Sequence, residues 1–134
     1  MSKKLPEGRY DCHIHAMNGK PDPSRLLADL HGAGIAGGAI FSENPNPIGN
    51  DIPKPPPPEE CIDNVLEWTS VSPLLFPFYW INPVAEGAEK VVDLALSKGI
   101  MGFKVLPGTF MPGDERALPV YQKIAEANKP VLFR

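Results

Sequence analysis

Cysteine is scarce: only Cys12 and Cys61 occur in 134 residues. Two thiols make no disulfide framework, so a reducing cytoplasm is the expected setting. A surplus of positive charge is lacking too. Thirteen Lys and Arg stand against sixteen Asp and Glu, a formal net charge of -3 with no arginine-rich stripe, and no nucleic-acid partner is expected. No apolar run approaches the roughly 20 residues that cross a bilayer, so no membrane partner is expected. The start Met1-Ser2-Lys3-Lys4 is basic, but Pro6, Glu7, Gly8 and Arg9 follow where a signal peptide needs an apolar core. What the chain does have is proline, 17 in all, and much of it lies in one segment, Asn44 to Pro58.

The rest reads as alternating strands and helices in one domain. Tyr10 to His15 is the first strand. A helix follows, with Asp22 and Ser24 as caps, Pro23 suited to a first turn, and Leu26, Leu27 and Leu30 on one face. Gly32 and Gly34 stop it. Gly38-Ala39-Ile40-Phe41-Ser42 is an apolar second strand of the kind covered on both faces. The proline segment cannot continue a helix or a central strand, and reads as a long, stiff loop. A second helix begins near Glu59 and turns Ile62, Val65 and Leu66 inward. Leu74 to Ile81 is the third strand. Ala88, Val91, Val92 and Ala95 mark a third helix, ended by Gly99. Gly102 to Leu106 is the fourth strand. A fourth helix follows, with Pro119 in its first turn and Tyr121, Ile124 and Ala125 inward. Pro130 to Arg134 opens a fifth strand.

Strict alternation implies a parallel sheet with helical crossovers. Two architectures accept the order: an open doubly wound sheet, or the front half of a TIM-type (β/α)8 barrel, which needs about 250 residues in full. An open sheet usually carries a helix on its last strand, and here the pattern stops inside strand 5. The half barrel, truncated after about four and a half βα units, is therefore the expectation.

Asp11-Cys12-His13-Ile14-His15 carries most of the functional information. Strand alternation puts Asp11, His13 and His15 on one face and Cys12 and Ile14 on the other. In a barrel the first set enters the lumen at the C-terminal end of the strand, where barrel active sites form, and the second faces the helices. Two imidazoles there can share one divalent metal, Zn²⁺ being the commonest. Asp11, one step deeper, can accept a proton from a neighbouring imidazole and orient it.

At these residues a family resemblance becomes specific. Tyr10-Asp11-Cys12-His13-Ile14-His15 resembles the opening strand of the amidohydrolase superfamily, in its amidohydrolase-related, decarboxylase-containing branch. Gly102-Phe103-Lys104-Val105 resembles that branch's fourth strand. Leu118-Pro119-Val120-Tyr121 and Asn128-Lys129-Pro130-Val131-Leu132-Phe133 resemble its fourth helix and fifth strand. The resemblance covers nearly the whole chain but only the first half of the family's barrel. It implies one or two divalent metals held by His13 and His15, by histidines on strands 5 and 6, and by an aspartate on strand 8. The metal lowers the pKa of a bound water, and the aspartate acts as base when that water attacks an amide, ester or lactone carbon. Decarboxylase members use the same centre to remove a carboxylate from a small-molecule substrate.

Arg134 stands where the strand-5 histidine is expected, and the strand-8 aspartate is absent from the sequence. Weak metal binding and no competent hydrolysis by this chain alone are the expectations. The alternative is a non-catalytic half barrel that pairs with a second copy or with a complementing C-terminal half through its exposed strand edges.

Lys104, at the end of strand 4, is a candidate for binding a substrate carboxylate or, carboxylated as in some relatives, for bridging two metals. A lysine snorkelling from the rim is the plain alternative. His31 reads as a helix C-terminal residue interacting with free carbonyls. Cys12 and Cys61 read as small apolar residues without a catalytic partner. Tyr79 and Trp80 favour core packing over lining a pocket. Thr109, Phe110 and Met111 sit in a loop on the substrate side. The proline segment lies on that face too, as a lid, a polyproline ligand or a plain loop.

Overall fold

The structure, a computed structural model, describes residues 7–16, 20–44 and 56–134. Among the described residues five strands alternate with four helices: β1 (Arg9–His15), α1 (Pro23–Gly32), β2 (Ile35–Phe41), α2 (Pro58–Thr69), β3 (Leu75–Trp80), α3 (Ala88–Lys98), β4 (Gly102–Val105), α4 (Leu118–Glu126) and β5 (Val131–Phe133). All neighbouring strands pair in parallel, in the order β1-β2-β3-β4-β5. A doubly wound sheet reverses its strand order at a switch point. This sheet has no reversal, so the open alternative is set aside.

Local sequence explains the boundaries. Asp22 caps α1, its carboxylate accepting from the Arg25 N–H at 3.2 Å, and Pro23 occupies the first turn. Gly34, at φ +74°, turns the chain so sharply that β2 begins at Ile35, three residues before the apolar run suggests. Gly99, at φ +105°, ends α3 as expected. The proline-rich loop lies almost wholly outside the described residues, as do the first six residues and Gly19.

The core fills the space between the sheet and the helices. Ile40, Leu75, Tyr79, Phe103 and Val105 from the strands meet Ile62, Val65, Val92, Ala95, Val120 and Ile124 from the helices. Burying each such side chain contributes about 1.5–3 kcal/mol. On α4 the buried pair is Val120 and Ile124, while Ala125 is exposed, which corrects the expected inner face by one position. Lys98 bridges Glu59 and Asp63 on α2, and Lys123 bridges Asp93 on α3, at 2.6–3.0 Å. These exposed pairs contribute little.

The face away from this core is concave. In a flat sheet β1 and β4 would lie about 14 Å apart, three strand spacings. Yet the Lys104 Nζ on β4 is 3.2 Å from the His13 Nε2 on β1. Only a curled sheet permits that, so the five strands form a half-barrel with His13, His15, Phe41, Trp80 and Lys104 on its inner side.

Candidate metal centre

The site is built from the C-terminal ends of four strands. β1 carries a bulge: Asp11 pairs with Gly38 and Ile14 with Ile40, so three steps along β1 match two along β2. The bulge breaks the period-2 count. Asp11 therefore does not share a face with His15 by alternation, and its carboxylate is not on an imidazole. Oδ1 instead accepts the backbone N–H of His13 at 2.8 Å, satisfying a donor that the bulge takes out of the ladder. Asp11 thus holds His13 through the main chain.

Two residues apart at the end of β1, the two imidazoles lie side by side. Their ring centroids are 4.8 Å apart and their Nε2 atoms 2.8 Å apart. Lys104, fully buried, extends along the inner face and places Nζ 3.2 Å from the His13 Nε2 and 3.3 Å from the His15 Nε2. Aromatic rings wall the cluster. Nζ stands 4.1 Å from the Trp80 ring centroid and 4.7 Å from that of Phe41. Phe41 also meets His13 and His15 edge-on, at 5.4 and 5.8 Å.

Two details set these positions. Ser42, 1% exposed, staples β2 to β3: its Oγ accepts the Trp80 N–H at 2.9 Å, and its own N–H donates to the Phe78 carbonyl at 2.9 Å. Gly102, two residues before Lys104, leaves room for the Phe78 ring beneath the lysine.

The electrostatics disfavour extra protons. Burial, then the charge of Lys104, push His13 and His15 below the ordinary imidazole value, and Arg134 acts in the same direction. Lys104 is pushed down by burial and by Arg134. Among the described residues no carboxylate pairs with Lys104.

The donor set suits a divalent ion that prefers nitrogen. A tetrahedral zinc ion with ligands at 2.0–2.1 Å holds neighbouring nitrogens about 3.3 Å apart. The three nitrogens here lie at 2.8, 3.2 and 3.3 Å from one another. Neutral imidazoles are the ligating form, and the depressed pKa values supply it at neutral pH. Among the described residues, no three His, Cys, Asp or Glu side chains form a ligand set.

The other candidates fall elsewhere. His31 is exposed in the last turn of α1, far along the chain from the cluster. Cys12 is exposed, against the expectation that it faces helices: it lies in the bulge of β1, between the paired Asp11 and Ile14. Cys61 is buried in α2, with its thiol raised to about 11 by burial. Tyr79 belongs to the core, whereas Trp80 lines the site. Phe110 packs against the core, and Met111 is 75% exposed. Phe41 and Ser42 read in the sequence only as strand residues, and their roles at the site depend on the curl.

Compared with family models, curated proteins and solved structures, the chain matches none. The amidohydrolase resemblance therefore rests on the residues of β1, β4, α4 and β5 alone.

Proposed function

We propose that this half-barrel is the leading part of a TIM-type (β/α)8 barrel, and that its inner C-terminal rim is the metal centre of a hydrolase acting on a small amide, ester or lactone. The observation that carries the reading is the convergence of His13 Nε2, His15 Nε2 and Lys104 Nζ within 3.3 Å at the C-terminal ends of parallel strands. Barrel enzymes place their chemistry at that rim. The consecutive strand order and the curl agree with such a barrel.

His13 and His15 hold the ion, zinc being the expected one. When bound, a divalent ion there supplies Lewis acidity, polarising a carbonyl and acidifying water. The chain's own residues do the rest. Asp11 fixes the backbone of His13. Phe41 and Trp80 exclude water from one side of the centre, which strengthens the electrostatics within it. Lys104 brings a nitrogen against the two imidazoles. Among the described residues no carboxylate stands at the centre as a general base, so turnover by this chain alone is expected to be weak or nil.

The test is zinc binding by calorimetry on chelator-stripped protein, beside hydrolysis of a panel of small amides, esters and lactones. Binding of one ion that is lost in His13→Ala and His15→Ala, with any turnover abolished by chelator, is the expected result. Zinc binding indifferent to both histidines, or turnover indifferent to chelator, overturns the reading.

A further inference from the structure

Each imidazole Nε2 offers one in-plane site, a lone pair or a hydrogen. The triangle His13–His15–Lys104 has three edges of hydrogen-bond length. No protonation state puts a two-centre hydrogen bond on all three. If the ammonium of Lys104 donates to both rings, two lone pairs face each other across 2.8 Å. If one imidazole donates to the other, its Nε2 no longer accepts from Nζ, and the second ring's single lone pair is shared. One cation receiving three nitrogen lone pairs satisfies every corner at once.

The dimensions agree. The point in the plane of the three nitrogens equidistant from them lies about 1.8 Å from each, so a point about 1 Å off that plane is about 2.05 Å from all three, the zinc–nitrogen distance. Faces of Phe41 and Trp80 border the same place, and ring faces favour a cation. Lys104 is fully buried and, among the described residues, no carboxylate pairs with it, so no ion pair holds its Nζ away from the two imidazoles.

We infer that Lys104, as a neutral amine, is a direct third ligand of the ion, completing an all-nitrogen His13–His15–Lys104 site. The inference rests on reading the two histidines as ligands. It also narrows the ion. Three nitrogen donors suit Zn²⁺, Co²⁺, Ni²⁺ or Cu²⁺ and exclude Mg²⁺ and Ca²⁺ as resident ions, because those require oxygen. On binding, the Nζ–H⁺ proton leaves to solvent and the freed lone pair forms the bond to the ion.

The experiment is a Co²⁺ titration of the whole chain after chelator treatment, read by visible absorption and by proton release in weak buffer. Lys104→Met, Lys104→Arg and the double variant His13→Ala/His15→Ala are compared, with circular dichroism to verify folding. Wild type is expected to bind one Co²⁺ with the intense absorption of a low-coordinate site. Lys104→Met is expected to weaken binding by roughly tenfold or more, to dim that absorption, and to release about one proton fewer. Lys104→Arg, which keeps the charge but cannot give up a proton, is expected to behave likewise. Unchanged or tighter binding by Lys104→Met overturns the inference, since Lys104 is then a bystander or a resident cation that competes with the metal. Binding that needs added bicarbonate overturns it too, since the lysine then acts through a carboxylated nitrogen. In both cases the loss of binding in the histidine variant leaves the histidine reading standing. Co²⁺ uptake that is absent, or indifferent to the histidines, removes both.

Discussion

The ring of Phe78 lies where a side chain at Gly102 would be: a Cβ there would overlap the Phe78 Cζ and Cε2. The two residues pair across β3 and β4, and the strands bring them face to face on the inner side of the sheet. Gly→Ala in a regular strand commonly stabilises by restricting the unfolded chain, by about 0.4–1 kcal/mol. Here the overlap reverses the sign. Gly102→Ala is expected to lower stability by about 1–3 kcal/mol, the usual cost of overpacking. A shift of the urea midpoint to lower concentration checks it. A companion Gly102→Ala/Phe78→Leu variant is expected to recover much of the loss.

Much of the fold is legible in the sequence because short-range chemistry decides it. The apolar runs around Ile40, Phe78 and Phe103 alternate with helical spacing at Leu26–Leu30 and Ala88–Ala95, and proline and glycine punctuate both. The metal pair is legible for the same reason: His13 and His15 stand two apart at the end of a strand. The bulge is not legible. It depends on how β1 registers against Gly38 and Ile40, which are distant in sequence, and it moves Asp11 from an imidazole to a backbone N–H. The lumen role of Lys104 is only half legible. Alternation says that either Phe103 or Lys104 faces inward, and the helices decide it by taking Phe103 into the core. Ser42 and Phe41 are invisible as site residues until the sheet curls.

The two thiols are expected to separate cleanly. Cys12 is exposed on β1, whereas Cys61 is buried in α2 and its thiol is raised to about 11, chiefly by burial. A low thiolate fraction and poor access both slow reaction. One thiol per chain should react promptly with a disulfide reagent under native conditions, and two after denaturation. Mass mapping should place the fast adduct on Cys12. Prompt reaction at Cys61 would contradict the packing of α2 against β3.

Ser42→Ala tests the link between β2 and the site. The substitution leaves the buried Trp80 N–H without the hydroxyl that accepts it at 2.9 Å. An orphaned buried donor costs about 1–3 kcal/mol. Stability is expected to fall by that amount. Because Trp80 forms a wall beside Lys104, its fluorescence should also shift to longer wavelength as water gains access. A loss of stability with unchanged emission would mean that Trp80 keeps its place without Ser42.

Acid should weaken the metal-free protein through the site itself. In the folded chain His13 and His15 have pKa values below 6.5, pushed down first by burial and then by Lys104. For a base with a depressed folded value, the unfolded chain takes up its proton first as pH falls. Over the window from about 6.5 downward the unfolded state therefore binds more protons, and stability rises with pH there. The two histidines leave stability undiminished above that window, and their cost grows as pH falls toward their folded values. Lys104 follows the same sign at higher pH, its value lying below 10.5 through burial and Arg134. In chelator-treated protein the urea midpoint should drop between about pH 7 and pH 5, and the double variant His13→Asn/His15→Asn should flatten that slope. Asp114, held at about 2 by its hydrogen bonds from Arg116, titrates well below this range, whereas burial raises Glu43, so it is the difference between the two proteins that isolates the share of the slope due to the histidines. Equal slopes in the two proteins would show that neither imidazole carries the depressed value that the buried lysine and the aromatic walls impose.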